Sequence, residues 1–369
     1  MNAAVESAKP IAGAALKLPA GVVTGAEYRA LVAACKEGGY ALPAVNVTGT
    51  NSLNAVLEAA ATAKADVIIQ LSNGGARFFA GEGMKDEAEA RVLGAISAAR
   101  HAHLLAKEYD ICVVLHTDHA NRKLVPWVER MVEFSAEEHK RSGKPLFSSH
   151  MLDLSEEPLQ ENLATCARLL KRMAPLGMSL EIELGVTGGE EDGIGAEHDG
   201  ADNAKLYTQP EDVAAAFKLL SMLGHFSVAA SFGNVHGVYA PGNVKLRPEI
   251  LKQSQDLVQA QFKTPAKPLN LVFHGGSGSE KDKIAEAVSY GVFKMNIDTD
   301  TQFAFAEAVG KSVLETPKAF QHQIDPVDGK PYKKLYDPRK WLRSGEKGMV
   351  ARLQEAFRDL GSAGRSVAG

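Results

Sequence analysis

Cysteine is scarce in this 369-residue sequence, which contains only Cys35, Cys112 and Cys166. An odd number of widely separated cysteines in apolar or helical contexts does not predict a disulfide framework. The sequence also lacks an apolar run near the ~20 residues of a membrane helix, and it lacks a basic segment followed by an apolar core near residue 1. We therefore expect an unexported, cytoplasmic protein that has no membrane partner.

An excess of positive charge is absent as well. The 41 Lys and Arg residues are outnumbered by 45 Asp and Glu residues, so the formal net charge is −4. This balance gives no reason to expect nucleic acid as a partner, although a local anion pocket stays open. The hydrophobic fraction of 45% and the length suit an enzyme built as one large barrel or as two medium domains.

Short apolar runs alternate with helical stretches eight times after Thr24. The runs cover residues 41–47, 66–72, 111–116, 145–151, 179–185, 226–232, 269–274 and 292–298. Because no composition break interrupts this alternation, it favours one closed (β/α)8 TIM barrel over two doubly wound domains. We predict an N-terminal lead-in over 1–24 and a single barrel domain over 25–369, with a C-terminal strap near 317–338 and a helical tail near 348–360.

Polar residues follow the apolar runs at their carboxyl ends, where barrel enzymes place their chemistry. The stretch YDICVVLHTDHA ends in Asp118 and His119, and two further histidines, His236 and His274, follow later strands. Imidazole and carboxylate side chains are the donors that a zinc ion prefers, and a catalytic zinc keeps one position open for substrate. Three histidines at independent strand ends therefore indicate a metal site more than three separate structural roles.

Two loops suggest further functions. HGGSGS begins at His274 after the seventh run, and NIDTD begins at Asn296 after the eighth, which is where barrels commonly bind phosphate. The loop LGVTGGEEDGIGAEHDG is long, acidic and rich in glycine. It is either a solvated loop or a mobile lid from which Glu190 or Glu191 delivers a base.

These motifs together resemble the class II, metal-dependent fructose-1,6-bisphosphate aldolases, and the GGEEDG loop and extended C-terminus resemble the class A branch of that family. The likeness runs from about residue 40 to residue 360. It is carried by the motifs HTDH, PLFSSHMLDLSEE, LEIELGVTGGEEDG, YTQPEDV, SFGNVHGVY, FHGGSGS and KMNIDTDTQ. Residues 1–24 and the insertion at 193–203 are the two stretches that are specific to this chain and do not take part in the resemblance.

The resemblance implies a metal centre. His119, His236 and His274 would hold a catalytic Zn²⁺, and Glu183 with Asp153 would supply an alternative or second metal position. A monovalent cation, Na⁺ or K⁺, would assist near the substrate phosphate.

The resemblance also implies roles for the other candidate residues. Asp118 would be the acid/base at the C4 hydroxyl, Glu191 would exchange the C1 proton of dihydroxyacetone phosphate, and Asn296 would steady the enediolate. Arg339, in the basic segment KPYKKLYDPRKWLR (330–343) that overlaps the end of the strap, would bind the second phosphate across a homodimer interface. The remaining substrate contacts would be Asn46, Ser72, Gly237, Gly275, Gly276, Ser277, Asn296, Ile297, Asp298 and Thr299.

Elementary chemistry agrees with this implied reaction. Cleavage of a C3–C4 bond leaves a carbanion that a Lewis acid can stabilise through the C2 carbonyl oxygen, while a carboxylate takes the C4 hydroxyl proton. The substrate would be a small phosphorylated sugar.

Three alternatives are open at this stage. A Schiff-base aldolase needs a desolvated lysine, for which Lys294 is the candidate, but the histidines would then be unexplained. A tagatose-1,6-bisphosphate aldolase differs only in the substrate's C4 stereochemistry. A non-catalytic, zinc-stabilised barrel would normally show four closed protein ligands, often cysteines.

Overall fold

Eight parallel strands hydrogen-bond in a closed ring, in which each strand pairs with the next along the chain and the eighth pairs with the first. The structure is a computed structural model. It describes residues 16–185, 188–191, 194–196, 207–236, 246–276 and 278–369; the side chains at 188–191, 194–196 and 235–236 lie outside that description. Barrel strands 1 to 8 are, in order, Leu42–Asn46, Val67–Leu71, Cys112–Thr117, Ser149–Leu152, Ser179–Leu184, Phe226–Ala230, Leu271–Phe273 and Val292–Ile297. The predicted TIM barrel is confirmed.

Helices follow the strands as the alternation predicts, and two short helices, α11 and α12, lie in the stretch predicted as a strap. After strand 2 comes a further unpredicted helix in NGGARFFA, whose two glycines lower its intrinsic helix propensity. Its first turn is fixed by Ser72, whose hydroxyl accepts a 3.0 Å hydrogen bond from the backbone N–H of Gly75. The helices are α1 Gly25–Gly38, α2 Thr50–Ala63, α3 Asn73–Ala80, α4 Glu87–Leu105, α5 Val125–Ser142, α6 Leu159–Met173, α7 Pro210–Leu220, α8 Glu249–Phe262, α9 Lys281–Ser289, α10 Thr299–Glu315, α11 Pro317–Gln321, α12 Lys333–Tyr336 and α13 Pro338–Asp359. Among the described residues, none of the helices combines the length and the apolar composition that a membrane span requires.

Alternate residues of the strands enter two separate buried clusters. Ile68 and Val114 belong to a smaller cluster inside the barrel, whereas their neighbours Ile69 and Leu115 belong to the large cluster between strands and helices. Successive side chains of a strand point to opposite faces, so this division follows from the period of two. Any polar residue in phase with Ile68 or Val114 therefore points into the barrel.

The amino ends of the strands are closed by α1 and by both ends of the described chain. Tyr28 of α1 lies in the interior cluster. Buried Asp66 accepts hydrogen bonds from the backbone N–H groups of Cys112 and Val367, both at 2.8 Å. Leu18 forms a β-bridge with Ala368. The lead-in is therefore bonded to the barrel from Leu18 onward, and its first fifteen residues lie outside the described chain.

The C-terminal extension is a long helix, α13, which begins at Pro338, upstream of the start expected near residue 348. It packs between α2 and α10. Arg343 makes a bidentate ion pair with Glu58 of α2, at 2.6 and 2.7 Å. A Cβ atom at Gly348 would lie 2.4 Å from the backbone oxygen of Ala304 in α10, so the two helices can approach this closely only because residue 348 is glycine.

A separate three-stranded sheet carries two predicted site residues. Strand Gly188–Glu191 pairs antiparallel with Ile194–Ala196 and parallel with Val235–His236. The backbones of Glu191 and His236 therefore belong to one small sheet.

Candidate active site

Asp118, His119 and His274 meet at the carboxyl ends of barrel strands 3 and 7. Each offers a ligand atom, and these three atoms all lie within 4.8 Å of one another. The rings of His119 and His274 are 4.6 Å apart between centroids. Asp118 is fully buried and His274 is 1% exposed. Two of the three predicted histidine ligands therefore lie beside the predicted acid/base group.

The backbone at His119 explains how two consecutive residues face the same centre. Asp118 is in phase with Val114 and so points inward, and its backbone N–H donates to the oxygen of Leu71 at 2.8 Å. The next residue would normally point outward. His119 instead has φ of +31°, an unusual value for a residue with a side chain. Such strained backbone is found where function demands a particular side-chain direction.

A second group of possible ligands adjoins the first. His119 Nδ1 lies 3.1 Å from Asp153 Oδ2 and 3.6 Å from Glu183 Oε2. His274 Nδ1 lies 3.5 Å from Glu183 Oε2. Ligand atoms of His119, Asp153 and Glu183 again lie within 4.8 Å of one another. Glu183 therefore lies between the two histidines, where its carboxylate could act as a ligand to a metal ion held by either group.

The donor set of these two groups fits zinc, which takes imidazole nitrogen and carboxylate oxygen in proteins. His236, the third predicted ligand, has a described backbone in the small sheet, and its side chain lies outside the described residues. The three cysteines are free and buried, and none belongs to either group.

Asp118 is held by three side-chain amides. Gln70, Asn46 and Asn296 donate to its carboxylate through their amide nitrogens, with shortest distances of 2.8, 3.2 and 3.1 Å. Burial raises the pKa of Asp118, but positive charge at His119 and Lys294 outweighs burial and leaves the pKa below its ordinary value. The carboxylate is therefore fixed in place and ionised, as a proton acceptor must be.

Two oxygens beside Asp118 are available for a ligand. Gln70 Oε1 and Asn296 Oδ1 are buried, and neither accepts a hydrogen bond from any part of the chain that the structure describes. Buried polar atoms are normally satisfied. These oxygens can therefore accept hydrogen bonds from the hydroxyl groups of a bound substrate.

Lys294 lies in an ion pair inside the barrel. Its ammonium donates to both carboxylate oxygens of Glu181, at 2.8 and 2.9 Å. Although burial raises the pKa of Glu181, Lys294 and His116 bring it below its ordinary value. A lysine held in this way is a poor nucleophile, because Schiff-base chemistry needs a neutral amine. This contact argues against the Schiff-base alternative.

The loops predicted to bind phosphate lie after barrel strands 7 and 8. Gly275 has φ of +60°, and a Cβ atom at Gly276 would lie within 2.9 Å of the Met295 side chain. Both positions therefore favour glycine, Gly275 because of its backbone conformation and Gly276 because it packs against Met295. Ile297 ends strand 8, and the 17-residue helix α10 begins at Thr299, so its N-terminus follows the strand directly.

The other predicted substrate residues have mixed outcomes. Asp298, which precedes α10, accepts a hydrogen bond from Gln302 Nε2 at 2.8 Å. Gly237 and Ser277 lie outside the described residues. Ser72 is 8% exposed and caps α3. Arg339 lies at the start of α13 with 90% of its side chain exposed, and it is not among the residues gathered around Asp118.

Sequence reasoning missed Gln70 and the role of Glu181. Gln70 is the one polar residue of VIIQL, and it stands two positions after the inward-facing Ile68, so the period of two could have identified it. Glu181 likewise precedes Glu183 by two positions. The interruption of an apolar strand by an inward polar residue is the signal in both cases.

Comparison with known proteins agrees with this geometry. The family profile described as Fructose-bisphosphate aldolase class-II matches residues 26–365. A fructose-bisphosphate aldolase of Campylobacter jejuni is 58% identical over 345 residues, which are 92% of this chain and 96% of the relative. A fructose-bisphosphate aldolase class 2 of Escherichia coli K12 is 52% identical with the same coverage. A crystal structure of the Campylobacter jejuni aldolase superposes with a TM-score of 0.86 at 55% identity, covering 95% of this chain and 98% of that one. This chain belongs to the class II fructose-bisphosphate aldolase family.

Proposed function

We propose that the protein is a lyase that reversibly cleaves D-fructose 1,6-bisphosphate into dihydroxyacetone phosphate and D-glyceraldehyde 3-phosphate. The observation that carries this proposal is the convergence of a buried carboxylate, Asp118, with His119 and His274 at one rim of the barrel. Family membership supports the same reaction.

His119 and His274 are proposed to hold zinc together with His236, whose strand pairs with the hairpin that carries Glu191. Glu183 is near enough to both described histidines to act as an alternative ligand. Asp153 would either join a second metal position or orient His119 through its 3.1 Å contact with Nδ1. When bound, the zinc supplies a Lewis acid for the negative charge that develops as the C3–C4 bond breaks.

Asp118 is proposed to accept the C4 hydroxyl proton during cleavage and to return it during condensation. Asn46, Gln70 and Asn296 hold its carboxylate from three barrel strands, so little reorganisation is needed when the proton moves. The buried oxygens of Gln70 and Asn296 would orient the sugar by accepting from its hydroxyl groups. Glu191 would exchange the C1 proton of dihydroxyacetone phosphate.

The ketose phosphate is proposed to bind at the glycines that follow His274 and at the N-terminus of α10. The positive φ of Gly275, directly after barrel strand 7, supports this placement, as does the dipole of a 17-residue helix that begins at Thr299. A monovalent cation, Na⁺ or K⁺, is proposed to assist there. Replacing K⁺ or Na⁺ by a bulky organic cation at constant ionic strength tests this part, since activity should fall.

The functional unit is proposed to be a homodimer. Arg339 is highly exposed in the single chain. A bisphosphate carries a second phosphate, which needs a cationic group in addition to the proposed phosphate site at the N-terminus of α10. Large apolar side chains are also exposed on α10 and the strap that follows it. These are Phe303, Leu314, Ile324 and Val327, which are 56–86% exposed. A second copy of the chain would cover such a surface.

The cytoplasm is the proposed location. All three cysteines are buried as free thiols, which fits a reducing compartment.

A coupled assay tests the proposed reaction. Purified protein should cleave fructose 1,6-bisphosphate, lose activity in chelator and regain it on addition of zinc. Borohydride in the presence of substrate should not inactivate it, because no imine forms. Full activity in metal-free protein would contradict the proposal. Faster cleavage of tagatose 1,6-bisphosphate would instead assign the other C4 epimer.

A further inference from the structure

A buried carboxylate, Glu181, lies directly behind the candidate metal ligand His274. Its Oε1 atom is 2.8 Å from His274 Nε2 and 2.8 Å from Lys294 Nζ. All three side chains are at most 2% exposed. Because an ionised carboxylate can only accept hydrogen bonds, Nε2 of His274 is the donor.

This hydrogen bond decides which ring nitrogen of His274 faces the metal centre. With Nε2 bonded to Glu181, Nδ1 lies on the other side of the ring, 3.5 Å from Glu183. The ring itself packs against the ring of His119. A histidine that binds a metal through one nitrogen generally donates its other N–H to a carboxylate or carbonyl, which fixes both tautomer and ring orientation. Glu181 therefore presents Nδ1 of His274 to the metal centre.

Lys294 in turn holds Glu181. Its ammonium donates to both carboxylate oxygens, at 2.8 and 2.9 Å. Glu181 belongs to barrel strand 5 and Lys294 to barrel strand 8, two strands that are not hydrogen-bonded to each other. The ion pair therefore crosses the barrel interior below the metal centre. A buried carboxylate is costly unless it is paired, so Lys294 is what allows a charged acceptor to stand there.

We propose that Glu181 and Lys294 form a positioning pair that sets the metal affinity of this site through His274. Lys294 holds Glu181 in place, and Glu181 holds the imidazole with Nδ1 toward the metal. Neither residue belongs to the two groups of possible metal ligands described above. The inference rests on the proposed metal centre and assigns to the buried lysine a role other than nucleophile.

Replacing both members of the pair tests the inference without leaving an unpaired buried charge. In the double variant Glu181→Leu/Lys294→Met, apolar side chains of similar size fill the same space, and such exchanges commonly preserve the fold. Glu181→Asp is the second variant. It keeps a carboxylate for Lys294 but shortens the side chain, which withdraws the acceptor from His274. The matched control is Gln255→Met, since Gln255 is also buried and bonds to the backbone before strands 7 and 8 but lies apart from His274.

The readouts are Zn²⁺ and Co²⁺ affinity, measured by competition with a chelator, and the visible absorption spectrum of the Co²⁺-loaded protein. We expect metal binding to weaken about 10- to 100-fold in the double variant and in Glu181→Asp, as for other groups that orient metal-bound histidines. The Co²⁺ spectrum should change in both, while Gln255→Met keeps the wild-type affinity and spectrum.

The outcomes separate this inference from the metal centre on which it rests. Affinity within about twofold of wild type in Glu181→Asp, with an unchanged spectrum, would overturn the positioning role whether or not the double variant folds. Loss of thermal stability with unchanged affinity in the double variant would also overturn it, because the pair would then act on the fold alone. Wild-type protein that binds neither metal would overturn the metal centre itself and the positioning pair with it.

Discussion

Arg339 and Asp337 form a bidentate ion pair at the start of α13, with Nη2–Oδ2 and Nε–Oδ1 distances of 2.7 and 3.1 Å. The hydrogen bonds from Arg339 lower the pKa of Asp337 to about 2. Arg339 is nevertheless 90% exposed. Within the described part of one chain its guanidinium is therefore paired only along the edge that carries Nε and Nη2, and the proposed role as a phosphate clamp requires either its Nη1 atom or exchange of Asp337 for phosphate.

Arg339→Ala should lower kcat/KM for fructose 1,6-bisphosphate far more than for fructose 1-phosphate, since only the bisphosphate carries the C6 phosphate. A loss of about 10- to 100-fold is expected from the charge-assisted hydrogen bonds that a phosphate would make. Lys340→Ala, which removes the adjacent exposed cation, is the matched control and should change either substrate little. Equal losses on both substrates would argue against the clamp.

Mixing Arg339→Ala with Asp118→Ala tests whether the clamp acts across a dimer. If it does, a heterodimer contains one site with both defects and one intact site. After subunit exchange at equal amounts, half of the dimers are mixed, and each mixed dimer has one intact site out of two. About a quarter of wild-type activity should therefore return. Verified heterodimers without activity would place Arg339 in its own chain's site.

His274→Ala should lose most of its bound zinc and its aldolase activity while the barrel stays folded. The reason is that His274 contributes one of the three atoms gathered around the candidate metal position. Metal analysis after dialysis measures the loss, and circular dichroism checks the fold. His101→Ala, which changes a half-buried histidine bonded to Asn54, is the control. Undiminished zinc in His274→Ala would remove this residue from the metal site.

Asp118→Ala and Glu191→Ala should fail at different steps. Loss of the proton acceptor at Asp118 should reduce bond cleavage by about 10²- to 10⁴-fold while zinc is retained. Glu191→Ala should chiefly slow tritium exchange at C1 of dihydroxyacetone phosphate. The two reactions can be followed independently. Loss of zinc in both variants, with equal loss of both reactions, would contradict separate roles.

His150 should make the folded state less stable in acid. Burial, and secondarily the neighbouring His116, lowers its pKa to about 3, whereas the unfolded chain has an ordinary histidine pKa of about 6.5. Between these values the unfolded chain binds a proton that the folded chain does not, so the free energy of unfolding falls as pH falls.

His150→Gln should flatten the pH dependence that His150 causes. The slope of the unfolding free energy between pH ~6 and ~4 should fall by up to about 1.4 kcal/mol per pH unit, the value for one proton. Urea unfolding in chelator measures this slope without a contribution from metal release. An unchanged slope would show that His150 is not kept neutral by the fold.

The fold was predictable because its signals are local. Eight apolar runs bounded by helical patterns appear in the order in which the strands pair, and each predicted run overlaps a barrel strand. Errors occurred where local signals are weak. The glycines of NGGARFFA concealed α3, and α13 begins ahead of its expected start because its first turn depends on the cap at Asp337 and on packing against α2.

By itself, the sequence determined the barrel, the strand ends at which polar residues gather, and the motifs that resemble a known family. The sequence did not predict contacts across the barrel, because residues such as Glu181 and Lys294 are far apart along the chain and meet only after the ring of strands has closed. Tertiary structure alone decided that Lys294 is an ion-paired lysine, that Gln70 helps to hold Asp118, and that His274 turns Nε2 toward Glu181 and Nδ1 toward Glu183. Hydrophobic periodicity records which face of a strand is buried, whereas the partner of a buried charge depends on the geometry of the closed barrel.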